Sequence, residues 1–333
     1  MHAAVLGVGA TGSHVARQLT QSPLTELSLF DIDDQQLGRV GTAVRSIVTD
    51  EVMVHSGPLE HRATPDVVVL AGAAGSHVEP AETWLKRGSH VVSISDDADD
   101  VAGLLALDQV ATDEERSLVV GVGFVPGLSC LLTRYAATML DSIEIISTYK
   151  AGTGGPACAR QHHHALNRDG HDWIDGDWVL RRRGSGRDLA WFPDPFGARD
   201  CYRGALPSPA LLQKEFPEAQ RISSRMAATR RDRLTSRLPM LRHPHEDGGP
   251  GALRVEVRGR RDHSVETIIL GVMDHPSVAA GTMAAVAAAE AVAGRTPIGA
   301  NGVAAWPDPK PVLAELHRRG VRVAIFSGLL API

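Results

Sequence analysis

The chain has 333 residues, and its 34 lysines and arginines against 39 aspartates and glutamates give a formal net charge of −5. This length suffices for two domains of ordinary size, and the mild acidity gives no reason to expect a nucleic-acid partner. The three cysteines are widely spaced, which argues against a disulfide framework or a zinc site and suits a reducing cytosol. No signal-peptide pattern is visible, and the alanine-rich stretch 279–293 is too short to span a bilayer. We therefore expect a cytoplasmic protein with no membrane partner and no bound metal.

The clearest motif is a glycine-rich turn at residues 7–12, formed by Gly7, Gly9 and Gly12 with Ala10 and Thr11 between the last two glycines. A short apolar strand is predicted before it, at residues 2–6, and a helix after it, at 13–20. Such a turn lets the backbone bend sharply, lets a pyrophosphate approach the chain, and lets the helix pack closely on the strand. The helix N-terminus would then bind the negative charge. The pattern predicts a dinucleotide site.

A second predicted strand, LSLFDID, ends in acidic residues. Asp31 lies 19 positions after Gly12, where a carboxylate can bind the adenosine ribose hydroxyls and repel a 2′-phosphate. No Arg or Lys follows until Arg39, so we expect NAD rather than NADP as the cofactor, with Ile32 beside it. Asp33 is the alternative ribose partner, and a purely structural role of Asp31 in capping a turn is the competing interpretation.

The pattern of alternating strands and helices continues beyond this unit. Residues 66–70 predict a buried strand that ends at the small residues Ala71 and Gly72, where a cofactor can approach the backbone. A helix at 79–87, strands at 90–95 and 118–122, and one long helix at 98–116 follow. This order predicts an α/β fold, a Rossmann-type doubly wound parallel sheet.

From Gly121 to Leu128 the chain resembles the saccharopine dehydrogenase-like group of NAD(P)-dependent oxidoreductases, whose members share a Gly-x-Asp-Pro-Gly-(Leu/Ile) segment at this point. Gly123, Pro126 and Gly127 match it, whereas Val125 stands where the family often has Asp and Ser93 replaces a further common acid. The small-residue helix at 279–293 is similar to the family's return helix. The resemblance implies that Gly123 and Pro126 contact the cofactor.

Two domains follow from the resemblance and the pattern: a nucleotide-binding domain of residues 1–128 and 272–333, and an inserted α+β domain of residues 129–271 with a mainly antiparallel sheet. In the insert, residues 178–180 and 189–192 predict one hairpin, and 254–258 and 265–270 predict another. An exposed sheet in this insert makes a homodimer the expected assembly.

Candidate catalytic residues lie in the inserted domain. His162 and His163 follow a glycine-rich stretch and could transfer a proton, although packed or solvated histidines are an equally good interpretation. Asp194 lies in a turn between aromatic residues that would raise its pKa, or serves the turn alone. Arg230 and Arg231 could bind a substrate carboxylate, although such a cluster is often a solvated helix face.

These observations predict an NAD(P)-dependent oxidoreductase that transfers a hydride to or from a C–N carbon of a small amino-acid-like substrate. Two alternatives remain open. One is a transferase that uses NAD with no net redox change. The other is a regulatory protein that binds NAD without turnover, an alternative that the departures at Val125 and Ser93 keep open.

Overall fold

Two β-sheets, each packed with helices, make up the protein. The computed structural model describes residues 1–57, 63–240, 244–246 and 248–326. Strands and helices are numbered in chain order below.

A seven-stranded parallel sheet forms the first unit. Its strands are β1 (His2–Leu6), β2 (Glu26–Phe30), β3 (Met53–Ser56), β4 (Val67–Leu70), β5 (His90–Ser93), β6 (Ser117–Val120) and β15 (Gly299–Gly302). Their order across the sheet is β3-β2-β1-β4-β5-β6-β15. The sequence of strands reverses direction between β1 and β4, which is where ligands bind at the carboxyl edge of such sheets. The predicted doubly wound Rossmann sheet is confirmed.

Helices cover both faces of this sheet. They are α1 (Ala10–Leu19), α2 (Asp34–Arg45), α3 (Val78–Lys86), α4 (Ala98–Leu105), α5 (Asp108–Asp113), α6 (Leu128–Ala137), α10 (Pro276–Val292) and α11 (Lys310–Arg318). Asp33 caps α2 by accepting from the amides of Gln35 and Gln36, and Asp97 caps α4 in the same way. Each cap satisfies amides that the first helical turn leaves without a partner.

A nine-stranded sheet forms the second unit. Its strands are β7 (Ser142–Ala151), β8 (Gly170–Ile174), β9 (Asp177–Arg181), β10 (Asp188–Phe192), β11 (Gly197–Tyr202), β12 (Arg221–Ala227), β13 (Gly251–Arg261), β14 (Ser264–Asp274) and β16 (Val323–Phe326). The main order is β10-β11-β12-β7-β13-β14-β16, with β8 on β12 and β9 on β8. Only β12 and β7 pair in parallel, so the predicted mainly antiparallel sheet is confirmed. Its helices are α7 (Pro156–Leu166), α8 (Ser208–Gln213) and α9 (Arg230–Thr235).

Three details differ from the sequence-based expectations. The helix expected over 98–116 is divided into α4 and α5, because the chain turns at Ala106 and Leu107. The hairpin expected over 178–192 is wrong, since β9 pairs with β8 and β10 pairs with β11. The hairpin expected over 254–270 is correct and longer than predicted.

The predicted domain limits can be compared with the membership of the two sheets. Strand β14 continues in the second sheet to Asp274, and β16 returns to that sheet at Val323–Phe326. Residues 327–333, assigned to the nucleotide-binding domain from the sequence, lie outside the described residues. The chain thus passes between the two units more often than the predicted limits imply.

One apolar core joins the two units. Val5 and Val69 of the first sheet belong to the same cluster of buried residues as Ile146 and Val255 of the second. Helix α10 packs on α1 so closely that a Cβ on Gly281 would lie 2.6 Å from the Cβ of His14. The two units are therefore packed against each other through this shared core.

Candidate functional site

A cleft of about 660 Å³ lies between the carboxyl edge of the first sheet and the loop that joins β7 to α7. This volume is in the range of small-molecule and cofactor sites. We call it the main cleft. Its lining includes residues from the ends of β1, β2, β4 and β5, from the loop after β6, and from residues 150–160 and α10.

The glycine turn forms one wall of the main cleft. Gly7 has a φ of 94°, and a Cβ on it would lie 2.6 Å from the amide nitrogen of Gly72, so only glycine fits there. A Cβ on Gly12 would overlap the carbonyl oxygen of Gly7. A Cβ on Gly9 would meet no atom within 4 Å, and α1 begins there with no side chain capping it. The turn leaves space and uncapped amides for a phosphate group.

Asp31 lies at the mouth of the main cleft, at the end of β2. Its Oδ2 accepts a hydrogen bond from the amide of Val8 at 2.6 Å, and its Oδ1 accepts from the amide of Asp33 at 3.0 Å. Ile32 beside it also lines the cleft and is 95% exposed. Asp33, the alternative ribose partner, caps α2 through one carboxylate oxygen, and a ribose contact of either aspartate stays a prediction. Asp31 therefore holds the glycine turn and also faces the cleft.

A buried ion pair lies across the main cleft from the glycine turn. The Nζ of Lys150, at the end of β7, donates to Oδ2 of Asp96 at 3.2 Å, and the Lys150 side chain is only 5% exposed. Burial alone would lower the pKa of Lys150, but the charge of Asp96 and the hydrogen bond to it outweigh the burial and raise this pKa. Lys150 is thus an ammonium at neutral pH. Both residues line the cleft.

Helix α7 points its N-terminus at the same part of the cleft. Pro156, Ala157 and Cys158 line the cleft, and no side chain caps the helix. Burial, together with Asp96, raises the pKa of the Cys158 thiol to about 11, so the thiol stays neutral. Arg160, one turn along, is exposed at the cleft and makes no hydrogen bond or ion pair within the described chain. This end of the cleft therefore presents helix amides without a side-chain cap and a guanidinium without an ion-pair partner in the described residues.

His77 and Ser93 form a buried contact on the floor of the cleft. His77 Nδ1 lies 2.8 Å from Oγ of Ser93, and its backbone amide donates to Asp100. Burial lowers the pKa of His77 despite the opposing effect of Asp100, which leaves the ring neutral. Ser93, which replaces a common acid of the resembling family, is therefore used to orient His77.

The residues that the sequence assigned to a cofactor fall mostly on the wall of the main cleft. Nine of them line it: Gly7, Gly9, Ala10, Thr11, Asp31, Ile32, Ala71, Gly72 and Gly123. The other two lie behind the wall. Gly12 lets α1 pack against Gly7. The carbonyl oxygen of Pro126 accepts a hydrogen bond from the amide of Gly123 at 3.0 Å. Contact of these residues with a cofactor stays a prediction.

The predicted catalytic histidines do not line the main cleft. His162 lies near Lys150, and burial followed by the charge of Lys150 lowers its pKa to about 3, so it is neutral and a poor proton carrier. Its Nδ1 is buried without a hydrogen-bond partner in the described residues. The Nε2 of His163 donates a hydrogen bond to the carbonyl oxygen of Leu238 at 2.8 Å. The geometry does not favour a proton-transfer role for either residue, and that role stays a prediction.

The other predicted catalytic residues are likewise outside the main cleft. Asp194 is exposed in the turn between β10 and β11 and has no aromatic enclosure that buries it. Arg231 is exposed on α9. Arg230 belongs to a second cleft of about 380 Å³, which we call the arginine cleft. It is lined by Arg182, Arg183, Arg230, Arg233 and Arg237 with Leu166, Gly184, Ser185, Leu234 and Ser236.

The described part of the chain holds neither a membrane-spanning helix nor a cluster of metal ligands. None of the helices in residues 1–57, 63–240, 244–246 and 248–326 has the length and apolar character that crossing a membrane requires. Within the same ranges, no three His, Cys, Asp or Glu side chains are grouped as metal ligands would be.

Sequence reasoning missed Lys150 and Asp96, although a signal for each exists. The end of β7 is buried from Thr148 to Ala151, so a lysine stands in a buried stretch of a strand. A charge in such a position is rarely found without a partner. Asp96 follows β5 at the carboxyl edge of a parallel sheet, where ligand-binding residues accumulate.

Comparison with solved structures identifies the fold. Saccharopine dehydrogenase (L-Glu forming) from Saccharomyces cerevisiae superposes with a TM-score of 0.69 at 12% identity, covering 97% of this chain and 99% of the other. Amine dehydrogenase from Mycobacterium smegmatis gives 0.52 at 14% identity, over 92% and 96% of the chains. An engineered D-amino acid dehydrogenase bound to NADP⁺ gives 0.50 at 15% identity, over 96% and 99%.

No family model matches the sequence. The structural likeness extends over nearly the whole chain, so the protein has the fold of the saccharopine dehydrogenase-like NAD(P) oxidoreductases. The resemblance predicted from Gly123 to Gly127 is confirmed at the level of the fold.

Proposed function

We propose that the protein is an NAD-dependent oxidoreductase that transfers a hydride to or from a C–N carbon of a small amino-acid-derived substrate. The observation that carries the proposal is the buried Lys150–Asp96 pair, which lines the same cleft as the glycine turn. A cofactor site and a paired charge in one enclosed cleft are the two parts that such a reaction needs.

The groups that line the main cleft suit the phosphate and ribose groups of a dinucleotide. Uncapped amides at the start of α1 and open space at Gly9 suit a pyrophosphate, and the Asp31 carboxylate suits an unphosphorylated ribose. Because a 2′-phosphate beside Asp31 would place two negative charges together, we favour NAD over NADP. When bound, the nicotinamide supplies a ring carbon that accepts or gives the hydride.

Asp96 is the group that we assign to the substrate nitrogen. Its carboxylate pairs with a substrate ammonium and takes up the nitrogen proton when the C–N bond is oxidised. Lys150 donates to Asp96 at 3.2 Å, holds that carboxylate in place, and has two further N–H bonds to offer. In the reverse direction the same pair returns the proton to the nitrogen.

Arg160 and the N-terminus of α7 are the groups that we assign to a substrate carboxylate. The guanidinium faces the cleft with no partner in the described residues, and the first amides of α7 have no side-chain cap. A planar guanidinium binds a carboxylate through two hydrogen bonds, and helix amides add to the attraction. Together with Asp96, they support a substrate with both an amine and a carboxylate.

The experiment is a turnover assay with NAD and NADH against a panel of amino acids, amines, and pairs of keto acid with amine. A net change in nicotinamide absorbance with at least one member supports the proposal. Product without a net change would instead identify a transferase. Tight NADH binding with no turnover across the panel would identify a regulatory protein, and either result overturns the proposal.

A variant of Lys150 tests which residues carry the reaction. We expect Lys150→Met to lower kcat on the best substrate by about 100-fold or more, because the half-buried Asp96 carboxylate loses the ion pair that holds it at the cleft, while the Kd for NADH changes by less than about threefold. Lys86→Met is the matched control, since Lys86 is exposed and pairs with Glu82 far from the cleft. Unchanged kcat in Lys150→Met contradicts the assignment.

A further inference from the structure

The arginine cleft carries five guanidinium groups and no carboxylate among its lining residues. Asp169 accepts a hydrogen bond from the backbone amide of Arg183, and Asp232 accepts from the amide and hydroxyl of Thr229, and no ion pair joins either acid to the five guanidinium groups in the described residues. Five like charges around a cleft of about 380 Å³ repel one another and lower the stability of the folded chain. Such an arrangement is stabilised by an anion in the cleft.

Two of the five arginines are fixed by contacts with the protein. Arg233 stacks on the ring of Tyr202 at 4.1 Å and donates to the carbonyl of Gly184 at 3.5 Å, although its Nε is buried without a partner in the described residues. Arg183 donates to the carbonyl of Asn167 at 3.0 Å. None of these acceptors carries a charge, so the positive charge of both guanidinium groups stays uncompensated.

The remaining three guanidinium groups are free to bind a ligand. Arg182, Arg230 and Arg237 are exposed and make no hydrogen bond or ion pair within the part of the chain that the structure describes. Arg182 precedes the turn at Gly184, whereas Arg230 and Arg237 come from α9 and the segment after it. Groups from two separate segments thus converge on one space.

The arginine cleft is separate from the main cleft. Helix α7 begins at the main cleft with Pro156 and ends at the arginine cleft with Leu166. Ten residues of α-helix span about 15 Å, so one small ligand cannot occupy both clefts. The proposed oxidoreductase reaction uses no residue of the arginine cleft.

We propose that the arginine cleft binds a small oxyanion with two or more negative charges, of the phosphate or polycarboxylate kind. Guanidinium groups bind both kinds through paired hydrogen bonds, and several of them together select a ligand with several charges. The concave shape and small volume fit a small molecule rather than the extended backbone of a nucleic acid.

The test is isothermal titration of the protein with inorganic pyrophosphate, inorganic phosphate and citrate at fixed ionic strength. We expect saturable binding of at least one of them, and the three probes distinguish a phosphate ligand from a carboxylate. Because the glycine turn is itself suited to pyrophosphate, variants assign the site. Arg230→Gln with Arg237→Gln should weaken binding by about tenfold or more, since each removes charged hydrogen bonds.

The matched control is Arg221→Gln with Arg322→Gln, which removes the same charge from two exposed arginines outside the cleft. It should change the affinity by less than about twofold, whereas an equal loss in both double variants overturns the site. Absence of saturable binding by all three probes also overturns it, as does binding of only nucleic acid or acidic peptides. Should Arg230→Gln with Arg237→Gln fold poorly, Arg182→Gln replaces it in the same comparison.

Discussion

Asp31 has two roles that the sequence did not separate. The spacing from Gly12 predicted a ribose-binding carboxylate, with turn capping as the alternative. In the structure the same side chain accepts a hydrogen bond from the amide of Val8 within the glycine turn, and it also lines the main cleft. Removing the side chain would therefore disturb the turn as well as the ligand, so an alanine variant does not isolate the charge.

We expect Asp31→Asn to reduce the preference for NAD over NADP by about tenfold or more, because the amide oxygen can still accept from Val8, although the hydrogen bond from Asp33 is lost, and the side chain no longer repels a 2′-phosphate. The measurement is the ratio of the two Kd values by fluorescence titration. Asp34→Asn, an exposed residue on α2, is the control. An unchanged ratio in Asp31→Asn would show that another group selects the cofactor.

His162 affects stability rather than proton transfer. Its pKa is about 3 in the fold and ordinary, near 6.5, when unfolded. The unfolded chain therefore binds a proton that the folded chain does not, as pH falls below about 6.5. The free energy of unfolding should decrease by about 1.4 kcal/mol per pH unit between that value and about pH 3. His77 and His90, whose pKa values are also lowered, add to the loss in the same direction.

We expect His162→Gln to reduce the slope of the free energy of unfolding against pH between pH 6 and pH 4. The reduction should correspond to the uptake of nearly one proton fewer on unfolding, measured by urea unfolding at several pH values. The exposed His164 on the same helix provides the control, as His164→Gln should keep the wild-type slope. Equal slopes in wild type and His162→Gln would contradict the burial of this ring.

At the scale of the element, α1 contains a glycine that its packing requires, whereas α2 contains one that its packing does not require. Gly12 is buried in α1 against the carbonyl oxygen of Gly7, while Gly38 lies in α2, where an added Cβ would meet no atom within 4 Å. One glycine permits close packing of a helix on a strand. The other only lowers the intrinsic helix propensity.

Alanine at these two positions should act in opposite directions. We expect Gly12→Ala to destabilise the protein by about 2 kcal/mol or more through overpacking, and Gly38→Ala to stabilise it by about 0.5–1 kcal/mol. Urea unfolding of the two variants, with NADH binding as a second readout, checks this. A tolerated Gly12→Ala would mean that α1 shifts without cost.

The elements also show what sequence patterns can and cannot predict. The strands that end at Leu6, Phe30 and Leu70 were predicted because a parallel sheet needs short apolar runs followed by turns. The pairing of β9 with β8 was missed although it is local, since the Asp175-Gly176 turn that joins the two strands is itself a hairpin signal. The site was only half predicted for a different reason: the glycine turn is local, whereas Lys150 and Asp96 meet only in the folded chain.

At the scale of the whole molecule, both sheets share one apolar core, and several polar contacts connect the units near the main cleft. Gln161 of α7 donates to Asp97 at 2.8 Å, and Arg168 pairs with Asp99 at 2.7 Å. Together with the Lys150–Asp96 pair, these contacts tie the second unit to the loop after β5. The cleft is therefore largely formed before a ligand arrives, which reduces the cost of binding.

We expect the protein to unfold in a single thermal transition, with a van't Hoff enthalpy close to the calorimetric enthalpy, because neither unit can lose its partner without exposing shared core. NADH should raise the temperature of this single transition, so that both units unfold at the higher temperature. Two separated transitions in scanning calorimetry, only one of them shifted by NADH, would show that the units are independent.

The position of α10 has a consequence for synthesis on the ribosome. The glycine turn is made well before α10, yet Pro276 and Ala280 of α10 complete the wall of its cleft, and Gly281 packs on α1. Strand β15, at the edge of the same sheet, follows later still. The strands and helices that precede the second unit therefore keep part of their apolar surface uncovered while that unit is translated, and a binding-competent site forms only after α10 has been made.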